Sequence, residues 1–433
     1  MRGGKQTPVC SRTVHSRTVG NKLEKPYYLT KKFQKTERIH SLDSLRAIMM
    51  LLGLVLHSAL TYNVTFHGES WSLKDPETTH IFSDSLVFLI HSFRMPIFFV
   101  VAGFFGAMLF YERQPMRMVK NRVSRIIFPF VVFLFILWPI TIFAFGYTDA
   151  VFSNQGNPFE IATQALSHFS DFIPRTTSHL WFLYYLALIT SITVILGLLL
   201  KNIPKLTQTA TRVFNWVIQR PITRILFFSG IIFLILNILG TSMVDASVSL
   251  IPDLNTFVYF LFFYLIGWVL YKSKQHLKTF MRYDWICTIL AIVLATIQGL
   301  TIQNSGLAPN GNSIMLILYS SVVVCLFMFG ITGLFIRYGS KYSARMRYIS
   351  DSSYWVYLIH LPITAILPGF ISKLHLPAAV KFMIVLSTTA IICFVSYHYF
   401  VRSTFIGKFL NGRKYPRKNN QESVNLDQVK TDK

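Results

Sequence analysis

Acidic side chains are scarce in this sequence. Against 42 lysines and arginines there are 18 aspartates and glutamates, and the long apolar runs hold almost none of them: Asp43, Asp84 and Asp351 all fall near expected helix ends. An ion-coupled transporter would set a carboxylate near the bilayer midplane, so this shortage counts against one. Cysteine is scarce too. Cys10, Cys287, Cys325 and Cys393 lie far apart, three of them inside apolar runs, with no CxxC or other metal-ligand spacing; neither disulfides nor a metal site is expected. No Walker loop, GxGxxG, GxSxG or HExxH stands in a suitable context. The first forty or so residues contain no apolar stretch of signal-peptide length. They are rich in Lys, Arg, Ser and Thr, and residues 1–41 read as a disordered basic tail, as do residues 403–433. The Arg and Ser content of the first tail weakly resembles a transit peptide, but topology accounts for the same residues.

What the chain has instead is apolar length. Of 433 residues 52% are hydrophobic and only 14% charged, outside the range of ordinary soluble domains. The net charge of +24 sits in tails and short loops beside apolar runs, so membrane topology explains it better than a nucleic-acid partner. A helix needs roughly 20 apolar residues to cross a hydrocarbon core of about 30 Å. Ten runs approach that length: Leu45 to Tyr62, Leu86 to Phe110, Ile126 to Phe145, Leu180 to Leu200, Ile222 to Leu239, Phe257 to Tyr271, Trp285 to Ile302, Ile314 to Ile336, Tyr354 to Phe370, and Val380 to Phe400. The expected fold is an all-α polytopic membrane protein of about ten transmembrane helices, a single domain over residues 42–402 without internal repeat.

Loop charge alternates along the chain. Arg113, Arg117, Lys120 and Arg122 mark one side, followed by Lys201 to Arg220, Lys272 to Arg282, Arg337 to Arg347 and both tails. Glu69, Asp75 and Glu77, then Asp149, Glu160 and Asp171, then Asp245 and Asp253, and two nearly uncharged turns near Pro309 and Pro368 mark the other. The positive-inside rule places both termini in the cytoplasm of a bacterial inner-membrane protein.

Ionisable side chains at membrane depth are costly and therefore functional candidates. His57 follows Arg46 by eleven residues, almost a whole number of turns, so both share one stripe spanning roughly 16 Å, from near the cytoplasmic face to the midplane or beyond. His91 and Arg94, three apart, are neighbours on the second helix. Ser353 and His360, seven apart, share a face of the ninth. One buried histidine is as often a packing residue as a functional one; three at similar depth beside an arginine that cannot shed its charge are harder to dismiss. Arg122 and Arg125 stand at a cytoplasmic helix start, where topology alone also places basic residues. The HxxxD of His80 and Asp84 arises readily by chance, and tryptophans such as Trp181, Trp216, Trp268 and Trp285 are most simply interfacial anchors.

Several blocks resemble the integral-membrane acyltransferases often called acyltransferase 3: "LDSLRAIMMLLGLVLHS" at Leu42 to Ser58, "FFVVAGFF" at Phe98 to Phe105, "RVSRIIFPF" at Arg122 to Phe130 and "ISDSSYWVYLIHLPI" at Ile349 to Ile363, in the family's order. "LIHSFRMPIFFVVAGFF" and "SHLWFLYYL" at Ser178 to Leu186 most resemble the branch that succinylates periplasmic glucans. The resemblance implies an O-acyltransferase with no permanently bound cofactor or metal, taking a succinyl group from cytoplasmic succinyl-CoA to glycan hydroxyls beyond the inner membrane. It makes His57 the general base, with Arg94 and His91 at the oxyanion or the acyl carboxylate and His360 on the opposite wall. Arg46, Arg122 and Arg125 would take the CoA phosphates, and Ser353 and Trp181 would line the substrate path. Ala102 stands where the family commonly has Ser, and Pro96 falls close after Arg94. O-acetylation of another cell-surface glycan, or a non-catalytic exporter, are the rival readings.

Overall fold

The computed structural model describes residues 39–113, 115–305, 310–412 and 415. The segments 1–38 and 416–433, with Cys10, most of both expected tails and the turn at Pro309, lie outside the described residues. In chain order the helices are α1 (His40–Leu60), α2 (Ile81–Arg113), α3 (Pro115–Arg122), α4 (Phe128–Phe152), α5 (Pro158–Gln164), α6 (Trp181–Leu200), α7 (Pro204–Ile218), α8 (Pro221–Leu239), α9 (Leu254–Lys272), α10 (Asp284–Ser305), α11 (Ile314–Tyr338), α12 (Ala344–Ile371), α13 (Ala378–Ser396) and α14 (Phe405–Asn411). Among the described residues ten helical segments are long and apolar enough to cross a membrane, α3 and α4 counting as one continuous span, Pro115–Phe152. No strand forms among them; Thr176 and Ser249 make one isolated bridge.

The ten spans match the ten apolar runs, with shifted ends. α1 begins at His40, inside the expected tail, and buries Ser41 and Leu42 at once. The tail expected from residue 403 contains α14, whose end is held by Asn411 Nδ2 donating to the Asp351 carbonyl (2.8 Å).

Apolar side chains all round a helix do not say which face meets lipid; packing decides that. α2 sits centrally, against α1, α9, α10 and α11, and 78% of its apolar window is buried, against 28% for α8. Outward faces of α4, α8, α10 and α13 expose Phe135, Leu226, Ile289 and Ile391, the surface a bilayer would cover. Two glycines set the α2–α9 crossing. A Cβ on Gly103 would meet the Tyr264 carbonyl oxygen at 2.0 Å, and one on Gly267 would meet that of Val100 at 1.8 Å. Backbone lies on backbone there, the close approach small residues permit in membrane bundles.

Prolines inside helices free carbonyls, and the fold answers them. Pro129 cannot donate to the Arg125 carbonyl; a π-helical turn, Val123–Ile127, forms there, and the Tyr354 hydroxyl donates to Arg125 O at 2.9 Å. Pro362 likewise frees the Leu358 carbonyl, which receives His179 Nε2 at 2.8 Å.

Candidate active site

α1, α2, α12 and the short turn just before α6 bring four ionisable side chains into one cluster. The His57 and His360 rings are 5.2 Å apart between centroids, and the His360 and His179 rings 5.4 Å. Gly53, one turn before His57, makes room for Arg94: a Cβ there would lie 2.6 Å from Arg94 Nη1 and 3.9 Å from His360 Nε2. Arg94, His179 and His91 all stand within electrostatic reach of the His57 ring.

Hydrogen bonding fixes what these groups can do. His360 Nδ1 faces the carbonyls of Tyr357 (2.7 Å) and Val356 (3.1 Å). Since both accept, Nδ1 carries the proton and Nε2 bears the lone pair of the neutral ring. That Nε2 is buried without a partner, as is His57 Nδ1. Arg94 makes no salt bridge or hydrogen bond among the described residues, although a guanidinium at helix centre costs about 3 kcal/mol on insertion scales. His57, His91 and Arg94 are nonetheless only half-buried. Buried ring nitrogens without a partner are rare in folded bundles and mark this cluster as the candidate functional centre. Among the described residues no three His, Cys, Asp or Glu side chains are arranged to hold a metal ion.

The cluster lies toward one end. His57 is in the last turn of α1, closer to the acidic-loop end than a midplane position. That end is closed by the loop between α1 and α2. Trp71, 2% exposed, packs on His57 at 5.5 Å and on Phe145 at 5.0 Å, and donates to Thr61 Oγ1 (3.1 Å). Asp75, in the same loop, accepts from Lys381 Nζ at 2.9 Å. Lys381 also donates to the Ser372 carbonyl at 3.2 Å. The pair thereby neutralises Lys381 and straps the loop to α13.

At the basic end, Arg46 and Arg122 meet at one level of α2. The Arg46 guanidinium stands 5.6 Å from the Phe105 ring centroid, and Arg122 Nη2 would be 3.6 Å from a Cβ on the adjacent Gly106. The Tyr264 hydroxyl stands near Arg122, whose Nε and Nη2 are buried with no partner. Arg46 is lightly paired with Asp43 at 3.5 Å. Arg125 differs: its Nη1 donates to the Asn411 carbonyl at 2.7 Å, so α14 occupies part of its fork.

Two further expectations fare differently. Ser353 is 1% exposed, its hydroxyl directed to Ser350 O (3.1 Å) and Met50 Sδ (3.6 Å), where α12 packs on α1. Trp181 is buried against Phe260 and lines a small pocket with His91. The HxxxD pair is structural, His80 Nδ1 accepting from Phe82 N and Asp84 from the amides of Val64 and Thr65. Sequence reasoning missed His179, Trp71, Asp75 and Lys381 as site-forming residues. For His179 a signal existed, since Pro362 guarantees an orphan carbonyl that some donor must fill.

The fold and cluster define a multi-pass membrane protein with an internal imidazole–guanidinium centre. The acyltransferase domain profile matches residues 39–398, and the chain belongs to that family: it is a membrane O-acyltransferase of the bacterial inner membrane. It is similar to glucans biosynthesis protein C of Escherichia coli O139:H28 (strain E24377A / ETEC), 25% identical over 354 residues, which is 78% of this chain and 84% of the relative. The proteins of that name from Escherichia coli strain K12 and from Escherichia coli O157:H7 are 25% and 26% identical over the same shares. No solved structure gives a significant match.

Proposed function

We propose that this enzyme moves a succinyl group from cytoplasmic succinyl-CoA to hydroxyls of a periplasmic glucan, with the basic end and both termini in the cytoplasm. The observation that carries the reading is the pairing of two centres along α1 and α2. Arg46 and the unpaired nitrogens of Arg122 at the basic end suit CoA phosphates, which Arg grips bidentately. His57 and Arg94 lie further along the same helices, with His360 of α12 beside them. The eleven residues from Arg46 to His57 correspond to about 16 Å of helix, a span the pantetheine arm can cover when extended. The glucan acceptor is favoured by the names of the similar proteins, and the loop polarity favours the orientation.

In the reaction the sugar O–H attacks the thioester carbonyl carbon while His57 takes the proton. Arg94, with His91 beside it, stabilises the oxyanion in a site that water barely reaches. The C–S bond then breaks, and the CoA thiolate leaves with the proton His57 returns. His360, its tautomer fixed by two carbonyls, holds the second wall and presents Nε2 as an acceptor. Arg125 is available to the donor only through the part of its fork that α14 leaves free. No permanently bound cofactor enters this scheme.

Mass spectrometry of periplasmic glucans from cells with and without the gene tests it. Succinyl mass should disappear in the deletion, return with the parent gene and stay absent with a well-expressed His57→Ala protein. Acetyl mass instead would reassign the acyl group, another acylated surface glycan would reassign the acceptor, and transport surviving His57→Ala without acyl transfer would favour an exporter.

A further inference from the structure

A second polar feature opens beside His91, on a face of α2 turned away from Arg94. The helical positions 88, 91, 92, 95 and 96 line a pocket of about 30 Å³ with Trp181 of α6, Tyr259 of α9, Gln298 of α10 and Ser320 of α11. Its polar groups are built in. Gln298 is 5% exposed and Ser320 8%, deep in two apolar helices, and Gln298 Nε2 donates to Ser320 Oγ at 2.7 Å. Buried amides and hydroxyls in lipid-facing helices persist when they have partners or a ligand. This pair satisfies only one bond of several. The second Gln298 N–H and the Ser320 O–H remain to donate, and the His91 ring has no hydrogen-bond partner among the described residues. No acidic side chain lines the pocket.

Size decides what can occupy it. A water needs about 10–15 Å³ by this measure, so the pocket holds roughly two, the room of a carboxylate or a similar end group and not of a sugar ring. Donors without a neighbouring acid select an anion or a strong acceptor. His91 lines this pocket and precedes Arg94 by three residues, a separation of about 5–6 Å on a helix that a short acyl chain can span.

Resting on the reading of the site given above, we infer that this pocket receives the distal carboxylate of a short dicarboxylic acyl group, with Gln298 and Ser320 as the residues that select it over acetyl. A methyl-terminated chain would leave the Gln298 and Ser320 donors unpaired, which is the discrimination that buried polar groups provide best.

The test uses the purified full chain in detergent with periplasmic glucan as acceptor and either succinyl-CoA or acetyl-CoA. The parent protein should prefer succinyl-CoA. Gln298→Leu and Ser320→Ala should lower kcat/KM for succinyl-CoA at least tenfold while changing the acetyl-CoA value less than threefold, and Gln298→Asn should retain part of the preference. An unchanged donor ratio, or equal losses with both donors in protein that remains monodisperse, would overturn the assignment while leaving the acyltransferase reading intact. Transfer from neither donor by the parent protein would overturn that reading and this assignment together.

Discussion

Lys381 Nζ lies 2.9 Å from Asp75 Oδ2, and the two side chains are 0% and 1% exposed. The pair joins α13 to the loop that carries Trp71, and Trp71 is the face His57 packs against. A buried pair of this kind contributes little over an apolar replacement, but losing one partner strands a charge and costs about 3–5 kcal/mol. Lys381→Met alone and Asp75→Asn alone should each lower the unfolding temperature in detergent. The double variant should recover most of the loss, a coupling that a double-mutant cycle measures.

Gly53→Ala is the substitution that separates site geometry from fold. The new Cβ would sit 2.6 Å from Arg94 Nη1, and the flexible end of an arginine can move aside at small cost. The protein should therefore remain folded with Arg94 displaced by about 1 Å, a misplacement that can cost 100-fold in rate. Thermal melting and succinyl transfer measured on one preparation check both halves.

His179 and Pro362 should behave as a linked pair. His179→Ala leaves the Leu358 carbonyl without a donor, a loss of about 1–3 kcal/mol for a buried group. Pro362→Ala restores a backbone N–H to that carbonyl. Adding Pro362→Ala to His179→Ala should recover stability without recovering full activity, because the ring beside His360 stays absent.

At the basic end, Arg122→Lys keeps the charge and loses the fork. Hydrogen bonds to charged groups contribute about 1.5–3 kcal/mol, so KM for the acyl-CoA donor should rise roughly 10- to 100-fold with a smaller change in kcat. Arg125→Lys should do less, since Arg125 already spends one nitrogen on Asn411. Donor-dependence curves distinguish the two.

The span count was legible because charge and hydropathy repeat at bilayer length, and ten runs became ten helices. His57, His91, Arg94 and His360 were legible because membrane depth makes any ionisable residue conspicuous. Contacts across the bundle were not. The eleven-residue spacing of Arg46 and His57 puts them on one stripe, but no spacing within α12 shows that Ser353 directs its hydroxyl to Met50 while His360 meets the His57 ring. Nor does sequence pair Asp75 with Lys381, 306 positions apart. α14 was hidden for another reason: seven residues with one lysine are too short to give a periodic signal, and only its docking on Asp351 and Arg125 distinguishes it.

The most direct measurement is single-turnover transfer of labelled succinyl from succinyl-CoA to glucan by parent, His57→Ala, His360→Ala and double-variant proteins, each shown to be folded. Groups that act as one unit lose activity together. His57→Ala should therefore abolish transfer, and adding His360→Ala should cost little more. Transfer at the parent rate by a folded His57→Ala protein would contradict the account.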